Sequence, residues 1–258
     1  MNYLVFRLYG PMASWGEIAV GEARHSAAYP SKSAICGLLG AALGIERGEE
    51  DTHQLLANEY LQAVKMECSG HLLKDYHTAQ APDSVGKFRY RTRRDELVHG
   101  KDRLGTILSS REYRTDALAI VALRASQAAP YSVEQLQQAL RSPVFHLYLG
   151  RKSCPLGAPL DPQIVDANTF KSALDAYQAK PMLTGEAEWH SDRRWFKPDS
   201  LTRYYWEGMP EDFADQDAAC NPSQVQALIR HDKPLSRRRW QFQPRTEYLW
   251  LNQRKDAV

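Results

Sequence analysis

Twice along this chain a strand pattern, a helix pattern and a second strand pattern follow one another, and that double unit limits the folds open to it. Tyr3–Leu8 reads as a strand and is broken by Gly10-Pro11. Ser31 is placed to cap a helix whose apolar positions Ile35, Leu38, Leu39, Ala42 and Leu43 follow helical spacing, with Gly44 where a C-cap belongs. A short helix over Asp51–Asn58 leads to a strand over Leu61–Glu67. The second unit opens with the apolar run Ala117–Leu123. It continues with the capping box Ser132-Val133-Glu134-Gln135 and a helix burying Val133, Leu136 and Leu140, and closes with Val144–Leu149 as a strand. The order β-α-β, long insertion, β-α-β is the ferredoxin-like or RNA-recognition-motif pattern, so an α+β fold is expected over residues 1–150. The aromatic signature by which such sheets stack bases is absent, so that use of the sheet is not expected. Gly37, Gly40 and Gly44 read as close-packing and capping positions rather than a phosphate loop, because no G-K-[ST] follows.

Charge is unevenly distributed. The formal net charge is only +2. Yet Gly86–Arg114 holds nine Lys/Arg against four acids, and Arg230–Arg245 holds six against Asp232 alone. Glu207–Asp217 holds five acids and no base, and reads as a mobile acidic loop. Local fields of this kind suit a localised polyanion contact. Cys36, Cys68, Cys154 and Cys220 are scattered without a C-x-x-C pair, and the eight histidines form no ligand pair, so neither a metal site nor a disulfide framework is expected. No cofactor is implied. No apolar run reaches the roughly 18 residues that span a bilayer, and Met1–Arg7 lacks the pattern of a signal peptide; a cytoplasmic protein without membrane contact is expected.

The insertion, about residues 72–115, is the most informative stretch. Lys87, Arg89, Arg91 and Arg93 alternate with Phe88, Tyr90 and Thr92, which in a strand puts cations on one face and aromatics on the other. With a turn at Gly100-Lys101-Asp102 and a return strand over Leu104–Arg114, a projecting basic β-hairpin results. The alternative is a solvated edge hairpin whose charges only deter aggregation. Beyond Pro159 the periodicity weakens. Lys171–Tyr177 reads as a short helix, and Trp189–Phe196, Thr202–Trp206 and Glu247–Leu251 as β segments of a smaller region over 161–258, following a first domain over 1–160.

Six segments in order carry a family resemblance. They are Leu8–Gly16 (LYGPMASWG), Tyr29–Ser33 (YPSKS), Gly37–Ile45 (GLLGAALGI), Lys74–Thr78 (KDYHT), Arg111–Tyr113 (REY) and Tyr148–Leu156 (YLGRKSCPL). Together they resemble the CasD-type subunits of the type I-E CRISPR surveillance complex, Cascade, within the RAMP superfamily; the resemblance fades after residue 160. It implies a non-catalytic subunit that holds the repeat-derived 5′ handle of the CRISPR RNA. Such a subunit caps the filament of backbone subunits and adjoins the large subunit, and meets target DNA only through the complex. A β-hairpin "thumb" is implied where the basic insertion lies.

Carried over motif by motif, the resemblance implies handle contacts at Arg111, a guanidinium fork, and Tyr148, a ring with a hydroxyl. Tyr76 and His77 of the fourth motif join the RNA-contacting set, as do Lys87, Arg89 and Arg91 of the hairpin. Arg151, Lys152 and Ser153 are candidate phosphate contacts. Arg24, Ser31, Lys32 and Ser33 are grouped near a helix N-terminus, which favours an anion. The plainer alternatives are a core tyrosine at Tyr148, a solvated first-turn lysine at Lys32 and a packing role for Trp15. The rival function is a metal-independent endoribonuclease drawing on His25, Tyr29, Lys32 and His77. No spacing forces those four together.

Overall fold

The computed structural model describes residues 1–19, 21–83, 86, 89–182, 198–214 and 222–253. Strand β1 (Asn2–Tyr9) opens the chain. Four two-residue strands follow, β2 (Met12–Ala13), β3 (Trp15–Gly16), β4 (Ala23–Arg24) and β5 (Ser26–Ala27). Helix α1 (Lys32–Leu43) begins at Ser31, whose side chain accepts the Ala34 N–H, and ends at Gly44 in the left-handed region (φ 79°). Helix α2 (Glu50–Asn58) leads into β6 (Tyr60–Cys68). Strands β7 (His71–Pro82) and β8 (Leu104–Thr115) form a long hairpin with α3 (Arg93–Val98) at its tip. The chain then returns through β9 (Leu118–Ala125), α4 (Val133–Arg141), β10 (Gln163–Asp166) and α5 (Phe170–Ala176). It ends with β11 (Leu201–Trp206), β12 (Gln226–Ser236) and β13 (Gln241–Gln253).

The main sheet is antiparallel with the order β10-β1-β9-β6-β11-β13-β12. Its first four strands are the fourth, first, third and second of the double β-α-β unit, the ferredoxin-like order. The sheet is covered on both sides. On one, α1 and α4 pack Ile35, Leu38, Leu39, Leu136 and Leu140 against Leu4, Phe6, Leu8, Val64 and Val121. On the other, Phe170, Leu174 and Phe213 close over Tyr3, Val5, Tyr204, Trp206 and Trp250. Double coverage explains why Tyr3–Leu8 is buried continuously instead of alternating. It also accounts for the missing base-stacking signature, because the aromatics of the second face stack on one another, Trp206 on Phe213 at 4.1 Å.

Two expectations are corrected. Val144–Leu149 is not a strand: the N–H groups of Val144 and Phe145 donate to Ala42 and Ala41 carbonyls at 3.0 Å, satisfying the end of α1, and β10 takes the edge position instead. Nor does the cation–aromatic run form a hairpin arm. The arms are β7 and β8, paired from His71–Thr115 to Pro82–Leu104, a projection of about 40 Å at the usual strand rise. The described part of the basic run, residues 89–94, lies at the tip, where Thr92 and Asp95 form a capping box that starts α3 and ends any strand pattern. Arg89, Arg91 and Arg94 are exposed there, while Arg93 donates to the Gln80 carbonyl and pairs with Glu96. Lys87 and Phe88, and the segment Trp189–Phe196, lie outside the described residues.

Residues beyond 160 build onto the same sheet, with β11, β13 and β12 continuing past β6. The acidic stretch is likewise not a free loop where it is described. Glu207 is buried, and Asp212 binds Arg124 at 2.8 Å and the Met209 N–H at 2.8 Å.

Candidate nucleic-acid interface

Part of the positive charge is neutralised inside the molecule. Arg245 binds Asp232 through Nε at 2.7 Å and Nη2 at 3.0 Å, and also pairs with Glu247. Arg230 lies 3.4 Å from Asp232 and 3.7 Å from Glu247, with its guanidinium 4.0 Å above the Tyr29 ring. Lys32 binds Glu207 and the Tyr60 carbonyl and is 2% exposed. Three cations and three carboxylates thus cancel in one buried cluster joining α1 to β11, β12 and β13. The basic excess counted over Arg230–Arg245 shrinks accordingly to Lys233 and the turn at Arg237–Arg239.

The start of α1 is closed to an external anion. The Lys32 N–H donates to Asp232 at 2.8 Å, so an internal carboxylate already sits where a phosphate was expected. Ser31 is 2% exposed and caps the helix, and Ser33 shares a 3.0 Å hydrogen bond with it. Lys32 and Ser31 are therefore internal and Ser33 is half-buried against the cap, a correction to their grouping as a phosphate cradle. Burial and then Glu247 push the Tyr29 pKa well up, and its hydroxyl donates to Glu247 at 2.6 Å. The four residues named for RNA cleavage are each held by a different carboxylate: Tyr29 by Glu247, Lys32 by Glu207, His25 by Glu112 and His77 by Asp75.

Exposed cations converge at the root of the hairpin. Strand β4 runs parallel to β8 with Ala23 opposite Ser110 and Arg24 opposite Arg111, so Arg24 and Arg111 share one face. Both are exposed, and no hydrogen bond or ion pair engages the Arg111 side chain among the described residues. Arg151 reaches the same place from the loop after α4. Its guanidinium lies 4.9 Å from the Tyr113 ring centroid and donates to the Glu112 carbonyl at 3.4 Å and the Arg24 carbonyl at 3.3 Å. Asp75 is paired opposite Arg111 on β7, and its carboxylate accepts from His77 Nδ1 at 3.1 Å. Tyr76, 64% exposed, points to the other face with Lys74 and Glu112.

Glu112 organises that second face. It accepts the Ser26 N–H at 3.2 Å and meets His25 Nδ1 at 3.1 Å. Burial raises its pKa, but the Ser26 N–H, His25 and Lys74 outweigh that, and the net shift is downward. Glu112 and Tyr113 were not singled out from sequence, although both stand in the Arg111–Tyr113 motif.

The motif Tyr148–Leu156 is a tight loop held against Leu8–Gly16. The Ser14 N–H donates to Leu149 at 3.0 Å, the Gly157 N–H to Tyr9 at 2.9 Å, and the Leu149 N–H to Cys154 at 2.8 Å. Gly150 has φ 85°, and a Cβ there would lie 1.8 Å from the Ser14 carbonyl oxygen, so only glycine allows the approach. The loop exposes Lys152 and Ser153 and leaves Tyr148 40% exposed beside its bridge to Pro155. Arg24, Arg111 and Arg151 are thus brought together, with Lys152, Ser153 and Tyr148 on the adjoining loop; Arg89 and Arg91 lie at the far end of the hairpin. No group of three or more His, Cys, Asp or Glu able to hold a metal occurs among the described residues, and no described helix is long and apolar enough to cross a membrane.

The family model described as CRISPR-associated protein (Cas_Cas5) matches residues 3–248. A protein of Escherichia coli (strain K12) described as CRISPR system Cascade subunit CasD is 34% identical over 185 residues, covering 69% of this chain and 77% of its own length. A solved chain described as CRISPR RNA-guided surveillance complex aligns with a TM-score of 0.61 at 24% identity, covering 97% of this chain and 89% of the other. Another, described as a crystal structure of Cas protein, aligns with a TM-score of 0.57 at 25% identity over 98% and 93%. The fold is therefore shared along almost the whole chain, including the region after residue 160 where the motif resemblance fades. With its family model spanning both halves of the double β-α-β unit and the strands that extend it, this chain belongs to the CRISPR-associated Cas_Cas5 family.

Proposed function

We propose that this chain is a non-catalytic subunit of a Cascade-type CRISPR surveillance complex that holds the 5′ handle of the CRISPR RNA at the root of its hairpin. The relative named as a Cascade subunit supports membership of such a complex. The observation that carries the handle site is the convergence of Arg24, Arg111 and Arg151 from three separate segments onto one edge of β8. Arg111 offers an uncommitted guanidinium to phosphates or base edges, Arg24 adds an exposed one whose Nη1 is held by the Gly21 and Ala23 carbonyls, and Arg151 ties the loop of Lys152 and Ser153 to them. Tyr148 supplies a ring beside that loop. The hairpin, with Arg89 and Arg91 near its tip, reaches along the guide towards a neighbouring backbone subunit, while the large subunit and target DNA are met through the assembled complex.

Replacing Arg111 by Ala tests the site by equilibrium binding of handle RNA against a scrambled control of equal length. A base-edge contact at Arg111 loses about 1–3 kcal/mol with the native handle and less with the scrambled one. A phosphate contact loses the same with both and makes the salt dependence shallower by about 0.7 in the log–log slope. Unchanged binding of both RNAs contradicts the assignment.

A further inference from the structure

The turn joining β12 to β13 carries Arg237, Arg238, Arg239 and Trp240, none of which belongs to the buried ion cluster. The turn is clamped without help from the indole. Gln54 donates to the Pro234 carbonyl at 3.3 Å and to that of Leu235, and Glu50 accepts from the Ser236 hydroxyl at 3.3 Å and from the Arg238 N–H. Trp240 is 58% exposed and holds a left-handed backbone (φ 56°). Its ring has Arg47 Cζ at 5.0 Å from the centroid and Phe242 edge-on at 5.8 Å.

Arg237 lies across α1 at Gly37, where a Cβ would stand 3.0 Å from Nη2, and donates to the Ser33 carbonyl at 3.3 Å. Its Nε is buried with no hydrogen-bond partner, and no carboxylate forms an ion pair with it among the described residues. Burial and then the charge of Arg47 lower its pKa from the ordinary arginine value, against Cys36, Tyr148 and Glu50. The acids of this corner are partly committed: Glu49 accepts the Glu46 N–H and Glu50 the Arg238 N–H, while Glu46, Arg47 and Asp51 are exposed.

A half-buried guanidinium short of an acceptor, next to an exposed indole backed by a second guanidinium, suits a phosphate and its attached base. We propose that the Arg237–Trp240 turn is a second single-stranded RNA contact, with Arg237 on a phosphate and a base stacked on the open face of Trp240. This rests on the function proposed above, since the RNA is the one held at the hairpin root. Tyr148 links the two places, standing in the loop that carries Arg151 and within electrostatic reach of Arg237.

The test uses the full-length chain and a labelled single-stranded RNA made of the repeat-derived 5′ handle followed by a run of adenosines. Stacking of one base predicts that Trp240→Ala weakens binding about tenfold at unchanged melting temperature, while Trp240→Phe stays within about threefold. Arg237→Ala lowers the log–log salt slope by about 0.7, one phosphate contact on a single strand. Arg111→Ala, measured alongside, separates the two readings. Weakening by Arg111→Ala with both Trp240→Ala and Arg237→Ala binding like the unaltered chain overturns the turn and leaves the hairpin root standing. Weakening by Trp240→Ala alone keeps the turn and removes the root. Unchanged RNA affinity together with lost association of the other complex subunits overturns the proposal in favour of a protein contact.

Discussion

Replacing Lys32 by Met asks whether this lysine serves RNA or the fold. Its Nζ binds Glu207 and the Tyr60 carbonyl at 2% exposure, in a cluster where Lys32, Arg230 and Arg245 balance Glu207, Asp232 and Glu247. Met keeps most of the volume and removes one positive charge, leaving the cluster at −1 out of reach of water. Removing one partner of a buried pair costs about 3–5 kcal/mol, much of it the penalty of the stranded charge. Glu207 retains the Gln62 N–H at 3.0 Å and Arg245 at 3.7 Å, which places the expected loss near the lower end, about 3 kcal/mol. For a chain of this size that is a fall in melting temperature of about 6–12 °C. Urea unfolding reads it as a lower midpoint at constant slope. Adding Glu207→Gln to Lys32→Met should restore part of the loss, giving a coupling of about 1–3 kcal/mol. Handle-RNA affinity of the folded variant should stay within a factor of two. A loss under 1 kcal/mol combined with a tenfold drop in RNA affinity would refute the structural role and restore Lys32 as a phosphate ligand.

Three further outcomes follow from the same geometry. Burial raises the pKa of Asp232, but hydrogen bonds and charge from Arg245, the charge of Arg230 and the Lys32 N–H outweigh it, so the folded value is depressed. Its contribution is then present above the unfolded value of about 3.9 and is lost as pH falls through the folded value; urea midpoints should drop most steeply below about pH 4, and less so in Asp232→Asn. Gly150→Ala puts a Cβ 1.8 Å from Ser14 O at φ 85° and should cost about 2–4 kcal/mol by urea unfolding, with the same substitution at exposed Gly16 near neutral. Replacing residues 83–103 by a short Gly-Ser turn should leave the melting temperature within about 2 °C, because α3 buries no residue, while impairing assembly of the complex as read by size exclusion.

The double β-α-β unit was legible because its helices carry both periodicity and local caps: Ser31, Gly44 and the Ser132 box all stand where their side chains and backbone can be read within four residues. The edge strand was not. Gln163–Asp166 is short, follows Pro159 and Pro162, and is half-buried, whereas Val144–Leu149 has the stronger apolar pattern. Only the open carbonyls of Ala41 and Ala42, a hundred residues earlier in the chain, decide between them. At the hairpin, charge density located the insertion, but period-two alternation hid the Thr92–Asp95 cap that makes the tip helical.

The site divides in the same way. Ser31 is a cap by local rule, yet the carboxylate that fills the helix N-terminus arrives from Asp232, two hundred residues on. Arg24 was grouped with that helix by proximity in sequence, whereas its strand pairs with β8 beside Arg111. Net charge counted along Arg230–Arg245 overstated the surface excess because Arg230 and Arg245 face buried acids at the end of β11 (Glu207), in β12 (Asp232) and in β13 (Glu247). Sequence shows charge; pairing decides how much of it is left for a ligand.

Ultraviolet cross-linking of the chain to handle-bearing RNA, with the linked peptides identified by mass spectrometry, tests the RNA assignment most directly. The convergence of Arg24, Arg111 and Arg151 predicts cross-links in the peptides spanning residues 23–26, 109–113 and 148–154. Cross-links centred on residues 31–35, with none at the hairpin root, would contradict it.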